Sequence, residues 1–187
     1  MSVQAESSAR RTLFITSLVG FMVAMEITII SIARSQISEA FPSAEAATLS
    51  WVITAYNIGV ASLLLPAGWM ADRYGRKKVF LWGLVAFIFG SLLSGLATSP
   101  ALLIGARVVQ SIGGAAQYPA GLALLLSAFP LERRMRAIGV WGAVSGLAAA
   151  LAPSLGALLI EGFGWRSVFL INVPVALLAL IAGRSWL

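Results

Sequence analysis

Leu13–Ala33, LFITSLVGFMVAMEITIISIA, is a run of 21 residues broken by a single charge, Glu26. At about 1.5 Å per helical residue it is about 30 Å long, the thickness of a bilayer's hydrocarbon core. Five runs of similar character follow, at Leu49–Ala71, Val79–Ala97, Ala101–Ala128, Ile138–Ile160 and Ser167–Leu187. They are continuously apolar rather than alternating, and only helices or closed barrels satisfy their backbone groups in lipid, so each reads as a transmembrane helix. The expected fold is an all-α integral membrane domain of six helices over residues 13–187, preceded by a polar tail at 1–12 on the cytoplasmic side.

The composition supports lipid as the solvent. Of 187 residues 59% are hydrophobic and 11% charged, against about a quarter charged in ordinary soluble domains. The net charge of +6 is held in short clusters between the runs, without interleaved aromatics for stacking bases, which argues against nucleic acid as a partner. With neither Cys nor His, the chain lacks a disulfide framework and the usual zinc, haem and iron–sulfur ligands; no cofactor and no metal are expected. The usual nucleophile–base pairs of hydrolases are also missing, so no enzyme is expected.

The positive charges set an orientation. Arg10, Arg11, Arg73, Arg76, Lys77, Lys78, Arg133, Arg134, Arg136 and Arg184 lie on one side of the six runs, ten in all, while Arg34 and Arg166 lie on the other. The positive-inside rule then places both termini in the cytoplasm, which fits a bacterial inner membrane. A cleaved signal peptide is the alternative for the first run, with Ser31-Ile32-Ala33 as its cleavage site, but the run is longer than a typical signal core.

Two charges lie inside the runs, Glu26 in the first and Arg107 in the fourth, each about 10 Å from the outer boundary. A charge at membrane depth costs on the order of 3 kcal/mol on insertion scales, so these residues are expected to meet at a bundle interior or wet cavity. The functional reading makes Glu26 a proton carrier, or the face for a cationic substrate, with Arg107 setting its protonation by attraction. The bland one is a structural ion pair between two helices. Tyr56, Asn57, Gln110, Gln117 and Asn172 are candidates to line a cavity, or else interhelical glue. Glycines in the fourth and fifth runs read first as packing sites. Pro153, followed by Gly156, is a candidate bend in the fifth helix. The tryptophans near the ends of the runs, Trp51, Trp82, Trp141, Trp165 and Trp186, read as headgroup anchors.

Between the second and third runs the chain reads Gly68-Trp69-Met70-Ala71-Asp72-Arg73-Tyr74-Gly75-Arg76-Lys77-Lys78. This resembles the GxLaDRxGRKxx signature of the major facilitator superfamily, with Met for Leu. Leu103–Gly114, Ala148–Ala157 and Trp165–Pro174 resemble further motifs of the 14-helix drug:proton antiporters, although Ala148, Ala152 and Ala157 replace glycines of the antiporter motif. In the first helix Glu26 and Thr28 keep the acid and threonine of the family's LDxTIVNVALP, while its Asn and final Leu-Pro are lost.

The resemblance implies two inverted three-helix repeats, forming the amino-terminal half of a transporter. It also implies a cytoplasmic gate at Gly68, Asp72, Arg73, Gly75, Arg76 and Lys77, proton-coupled efflux of small lipophilic or cationic compounds, and a second six-helix half as partner. By that reading the chain is a truncated half. The alternatives are a half-size transporter working as a dimer and a nontransporting membrane scaffold.

Overall fold

The computed structural model describes residues 3–187 and is helical throughout apart from short connections. Helices α1 (Val3–Ala40), α2 (Ala46–Tyr74), α3 (Arg76–Gly95), α4 (Pro100–Ala128) and α5 (Leu131–Phe163) are followed by α6 (Ser167–Leu170) and α7 (Asn172–Trp186). The last two form one rod, because Ile171 between them keeps right-handed helical dihedrals (φ −61°, ψ −27°). Pro174 has no N–H to donate back to Leu170, which accounts for a lapse in the hydrogen-bond ladder there.

Five rods are long and apolar enough to cross a membrane: α1, α2, α3, α5 and the combined α6–α7. The fourth, expected as the sixth span, has the length at 29 residues but not the apolarity. Its Arg107, Gln110, Ser111 and Gln117 are the cause, and all four are buried inside the bundle. Polarity hidden among neighbouring helices lowers hydropathy without exposing anything to lipid.

Residues 3–12 differ from the expected tail. Their backbone continues α1, and Glu6 pairs with Arg10 one turn on at 3.0 Å, the i,i+4 arrangement that supports an exposed helix. At the other end α1 runs seven residues past Ala33, through the polar stretch Arg34–Ala40.

Central in the bundle is α4, packed on α2 and α3, while α1 packs chiefly on α5 and α7 lies against α3 and α1. The first helix of each three-helix unit thus rests on the second helix of the other unit, and this exchange makes the two units one body. Small residues set the closest approach. A Cβ on Gly113 would lie 2.5 Å from the Phe87 backbone nitrogen, and one on Gly90 2.5 Å from that of Gln110, so α3 and α4 touch backbone to backbone.

The first described turns of α1 and the end of α7 lie at one end of the bundle, where the Arg11 guanidinium stacks 5.5 Å from the Trp186 ring. The core has two apolar layers. The layer nearer that end contains Ile15, Val23, Tyr56, Phe80, Phe87, Ala120 and Ala176; the far layer contains Met25, Ile30, Val52, Leu103, Phe169 and Trp165.

Candidate functional site

Along α1, α2, α3, α4 and the α6–α7 rod, a buried polar stratum lies where one apolar layer gives way to the other. Glu26 follows Val23 and Met25, Ser91 lies between Phe87 and Ala97, Arg107 beyond Leu103, and Asn172 between Phe169 and Ala176. Five rods contribute to one level, so the matched depth of Glu26 and Arg107 belongs to the architecture as a whole.

The two charges meet. Arg107 Nη1 donates to Glu26 Oε1 in an ion pair whose side chains are 0% and 1% exposed. Asn172 Nδ2 donates to the other carboxylate oxygen, Oε2, so Glu26 on α1 is held from α4 and from α7 at once. Arg107 Nη1 also donates to Gln110 Oε1 at 2.7 Å, and Gln110 Nε2 donates to Ser91 Oγ on α3 at 2.9 Å.

Arg107 Nε donates to the Val52 carbonyl of α2 at 3.0 Å, and the guanidinium lies 4.1 Å from the centre of the Tyr56 ring. A charge with an opposite charge, neutral acceptors and a π face around it is the form in which an ion is tolerated at membrane depth. Three polar atoms of the stratum, Arg107 Nη2, Asn172 Oδ1 and Tyr56 Oη, have no hydrogen-bond partner among the described residues. Buried groups of this kind retain capacity for a further bond.

The structure places the expected site residues as follows. Glu26 and Arg107 meet in the bundle interior, the first of the two surroundings expected for them. Tyr56, Gln110 and Asn172 are buried around them, while Gln117 is buried a few turns away and donates to the Gly83 carbonyl at 2.9 Å. Asn57 alone among the cavity candidates is exposed. Helix α5 runs unbroken through Pro153, and Gly156 is a contact with α1, where an added Cβ would come within 2.8 Å of Ile29 Cγ1.

Two of the five tryptophans expected as anchors, Trp141 and Trp165, are buried. Trp141 Nε1 donates to the Thr16 carbonyl at 3.1 Å, its ring edge to face with Tyr118, and Trp165 packs against Phe41 and Phe169. The roles of Ser91 and the Val52 carbonyl were missed in the sequence. Gln110 was placed but not linked to Arg107, although a spacing of three residues puts both on one helix face.

Around Gly68–Lys78 the chain turns from α2 into α3 on a single residue. Gly75 takes φ +101° and ψ 128°, a conformation side chains resist, and its N–H bonds back to the Ala71 carbonyl at 3.1 Å. The tight turn aims the following bases at neighbouring helices. Arg76 Nη1 donates to the Ala123 carbonyl of α4 at 3.3 Å, and Lys77 Nζ to the Arg184 carbonyl in the last turn of α7 at 2.9 Å. Cations belong at helix carboxyl ends, so these bonds brace three helices.

Asp72 reaches Arg76 at 3.4 Å, but both are exposed, and Arg73 stacks over Trp69 at 5.4 Å. The Cβ of Pro119 on α4 lies 3.8 Å from where a Cβ on Gly68 would be, so that glycine faces α4 at ordinary contact. The six motif residues thus share one end of the bundle, with Arg76 and Lys77 its structural ties.

Several known efflux and resistance proteins are similar to this chain. The sequence profile of the Major Facilitator Superfamily matches residues 16–187. The chain is 40% identical over 167 residues to the drug efflux pump JefA of Mycobacterium tuberculosis, covering 89% of this chain and 33% of the pump. It is 39% identical over 158 residues to a methylenomycin A resistance protein of Streptomyces coelicolor, covering 83% and 33%. With the tetracenomycin C resistance and export protein of Streptomyces glaucescens it shares 40% identity over 162 residues, covering 87% and 30%. The chain therefore spans about a third of the length of these relatives. With a family profile matched from the first membrane helix to the last residue, and the fold of a six-rod half, the chain belongs to the major facilitator superfamily.

Proposed function

We propose that this chain supplies one half of a proton-coupled exporter of small lipophilic or cationic compounds, with Glu26 as the proton-carrying group. It crosses the membrane six times, α4 included, with both termini in the cytoplasm. The single observation behind this reading is the Glu26 site: a carboxylate buried among apolar layers and bonded from two different helices, beside an arginine whose Nη2, like Asn172 Oδ1 and Tyr56 Oη, has unused bonding capacity. Proton uptake by Glu26 would release Arg107 from its ion pair, and the freed guanidinium would change what it holds on α2 and α4. A proton is thereby converted into helix repacking.

The complete machine needs an opposing wall, because alternating access rocks one half against another. α2 and α5 leave most of their apolar length unburied, and those faces suit that partner. Bending of α5 at Pro153 and opening of the Gly68–Lys77 end are the motions that would follow.

The test is to co-express the chain with the remaining helices of the 40%-identical pump and reconstitute the complex in proteoliposomes with an imposed pH gradient. Gradient-driven ethidium flux is expected from the complex and not from Glu26→Gln. Wild-type flux in Glu26→Gln refutes the assignment of the carrier. Coupled flux from the chain alone would replace the half-of-a-larger-machine reading with a self-assembling half-size transporter.

A further inference from the structure

A second feature lies apart from the polar stratum, at the end that holds Arg11 and Trp186. There a cleft of about 510 Å³ opens between the first turns of α1 and α5, lined by Glu6, Arg10 and Leu13 from one helix and Arg133, Arg136, Ala137 and Val140 from the other, with Phe129 at its base. The two helices present the same order of chemistry. Reading inward, charge comes first, at 6 and 10 on α1 and at 133 and 136 on α5, and apolar side chains follow, at 13 and at 137 and 140. Each face spans eight residues, about 10 Å from first to last.

Three guanidiniums stand against one carboxylate. Glu6 lies 3.0 Å from Arg10 and 3.8 Å from Arg133, while Arg136 has no ion-pair partner among the described residues. The lining therefore carries a net positive charge of two, three minus one, above an apolar floor.

We infer that this cleft is a binding site for one anionic phospholipid, its headgroup phosphate among Arg10, Arg133 and Arg136 and the start of an acyl chain along Leu13, Ala137 and Val140. The ordering of charge and apolar surface matches the ordering within the lipid, from headgroup to tail. A free anion would use the rim and leave the floor uncovered, and an apolar molecule would use the floor alone. Basic pockets between transmembrane helices on the cytoplasmic side suit acidic headgroups, and a guanidinium fork suits phosphate oxygens. Exposed Val140 and Leu147, seven residues apart on α5, continue the apolar track deeper into the membrane. The inference does not depend on proton coupling.

The experiment is native mass spectrometry of the delipidated chain in a neutral detergent, titrated with phosphatidylglycerol or with phosphatidylcholine of the same acyl chains. Phosphatidylglycerol is expected to bind as a single saturable ligand, at least tenfold more tightly than phosphatidylcholine. At about fivefold per arginine, Arg133→Gln/Arg136→Gln should weaken it by about 25-fold, whereas Lys78→Gln/Arg184→Gln, the same charge change outside the cleft, should cost less than threefold. Arg133→Lys/Arg136→Lys, which keeps the charge but not the guanidinium forks, should fall between the wild type and the glutamine pair, and Val140→Glu, at an exposed floor position, should lose the affinity with all three arginines present.

Equal losses in the two glutamine pairs would mean diffuse surface attraction and would overturn the site. Equal affinity for the two lipids would also overturn it, and so would full displacement of phosphatidylglycerol by inorganic phosphate, which would make it an anion site. If the cleft is instead covered by the second half, lipid bound to the isolated chain will be lost in the co-expressed complex, and that result refutes a lipid as its native occupant.

Discussion

Removing both members of the Glu26–Arg107 pair should cost less than the two single removals added together. Arg107→Gln deletes the ion pair, the Nε bond to the Val52 carbonyl and the stacking on Tyr56, and leaves the Glu26 carboxylate with Asn172 as its remaining donor. Glu26→Gln keeps the shape but turns an amide NH₂ towards one of two donors, Arg107 Nη1 or Asn172 Nδ2, and leaves a buried guanidinium without its counter-charge. In soluble proteins such half-removed pairs cost about 3–5 kcal/mol. Within a bilayer the unfolded helices find other partners, and single hydrogen bonds average only about 0.6 kcal/mol. Discounting accordingly, each single substitution should cost about 2–3 kcal/mol. The double variant should cost about 2 kcal/mol less than the sum, because neither partner is then left as an isolated buried ion. The four-member cycle can be measured by steric trapping in bicelles, with far-ultraviolet dichroism to check helicity. Additivity within about 0.5 kcal/mol would show that the two residues do not stabilise each other, and would refute the view that their bond organises the polar stratum.

Other positions give sharper contrasts. Gly90→Ala should destabilise the bundle by about 2–3 kcal/mol in the same assay, since the new methyl meets the Gln110 backbone, whereas Gly105→Ala, with nothing within 4 Å, should be neutral or slightly stabilising. Gly75→Ala should cost about 1–3 kcal/mol from backbone strain at φ +101° alone, because its Cβ would meet no neighbour. Asn172→Leu should cost about 1–2 kcal/mol by leaving Glu26 Oε2 without its donor, and should reduce coupled flux in the co-expressed complex. The chain has no Cys, so single cysteines report topology directly: Lys78→Cys should react with an impermeant maleimide only from the cytoplasm and Ser43→Cys only from outside. Labelling of both from one side would refute the proposed orientation.

The helices and the pairing of the two charges were legible because both are properties of sequence position. Apolar length gives the rods, and a helix rise of 1.5 Å converts residue number into depth. Rotation about each axis was not legible. A rod that is apolar nearly all round offers no stripe to show which face is inward. That is why adjacent Tyr56 and Asn57 were treated alike although one is buried and the other exposed, and why Trp141, read from its place near a helix end, was assigned to the headgroups. The first turns of α1 show a different limit: polarity signals a segment outside the membrane but not its conformation, for which the helical spacing of Glu6 and Arg10 is the better guide.

The same reasoning explains why α4 carries two members of the polar stratum, Arg107 and Gln110, and a further buried polar residue, Gln117. A helix surrounded by other helices can hold Arg107, Gln110 and Gln117 because each finds a partner in the protein, at Glu26, Ser91 and the Gly83 carbonyl. The peripheral α5 packs chiefly on one helix, α1, and among the described residues contributes no polar side chain to the stratum. Its small residues, Ala148, Ala152 and Gly156, instead lie buried at the level of the far apolar layer, Gly156 directly against α1. Tightening the polar stratum and loosening the α1–α5 seam are therefore separate variables. A change in the charge on Glu26 acts on the first directly, and reaches the second only through α1, the one helix that belongs to both.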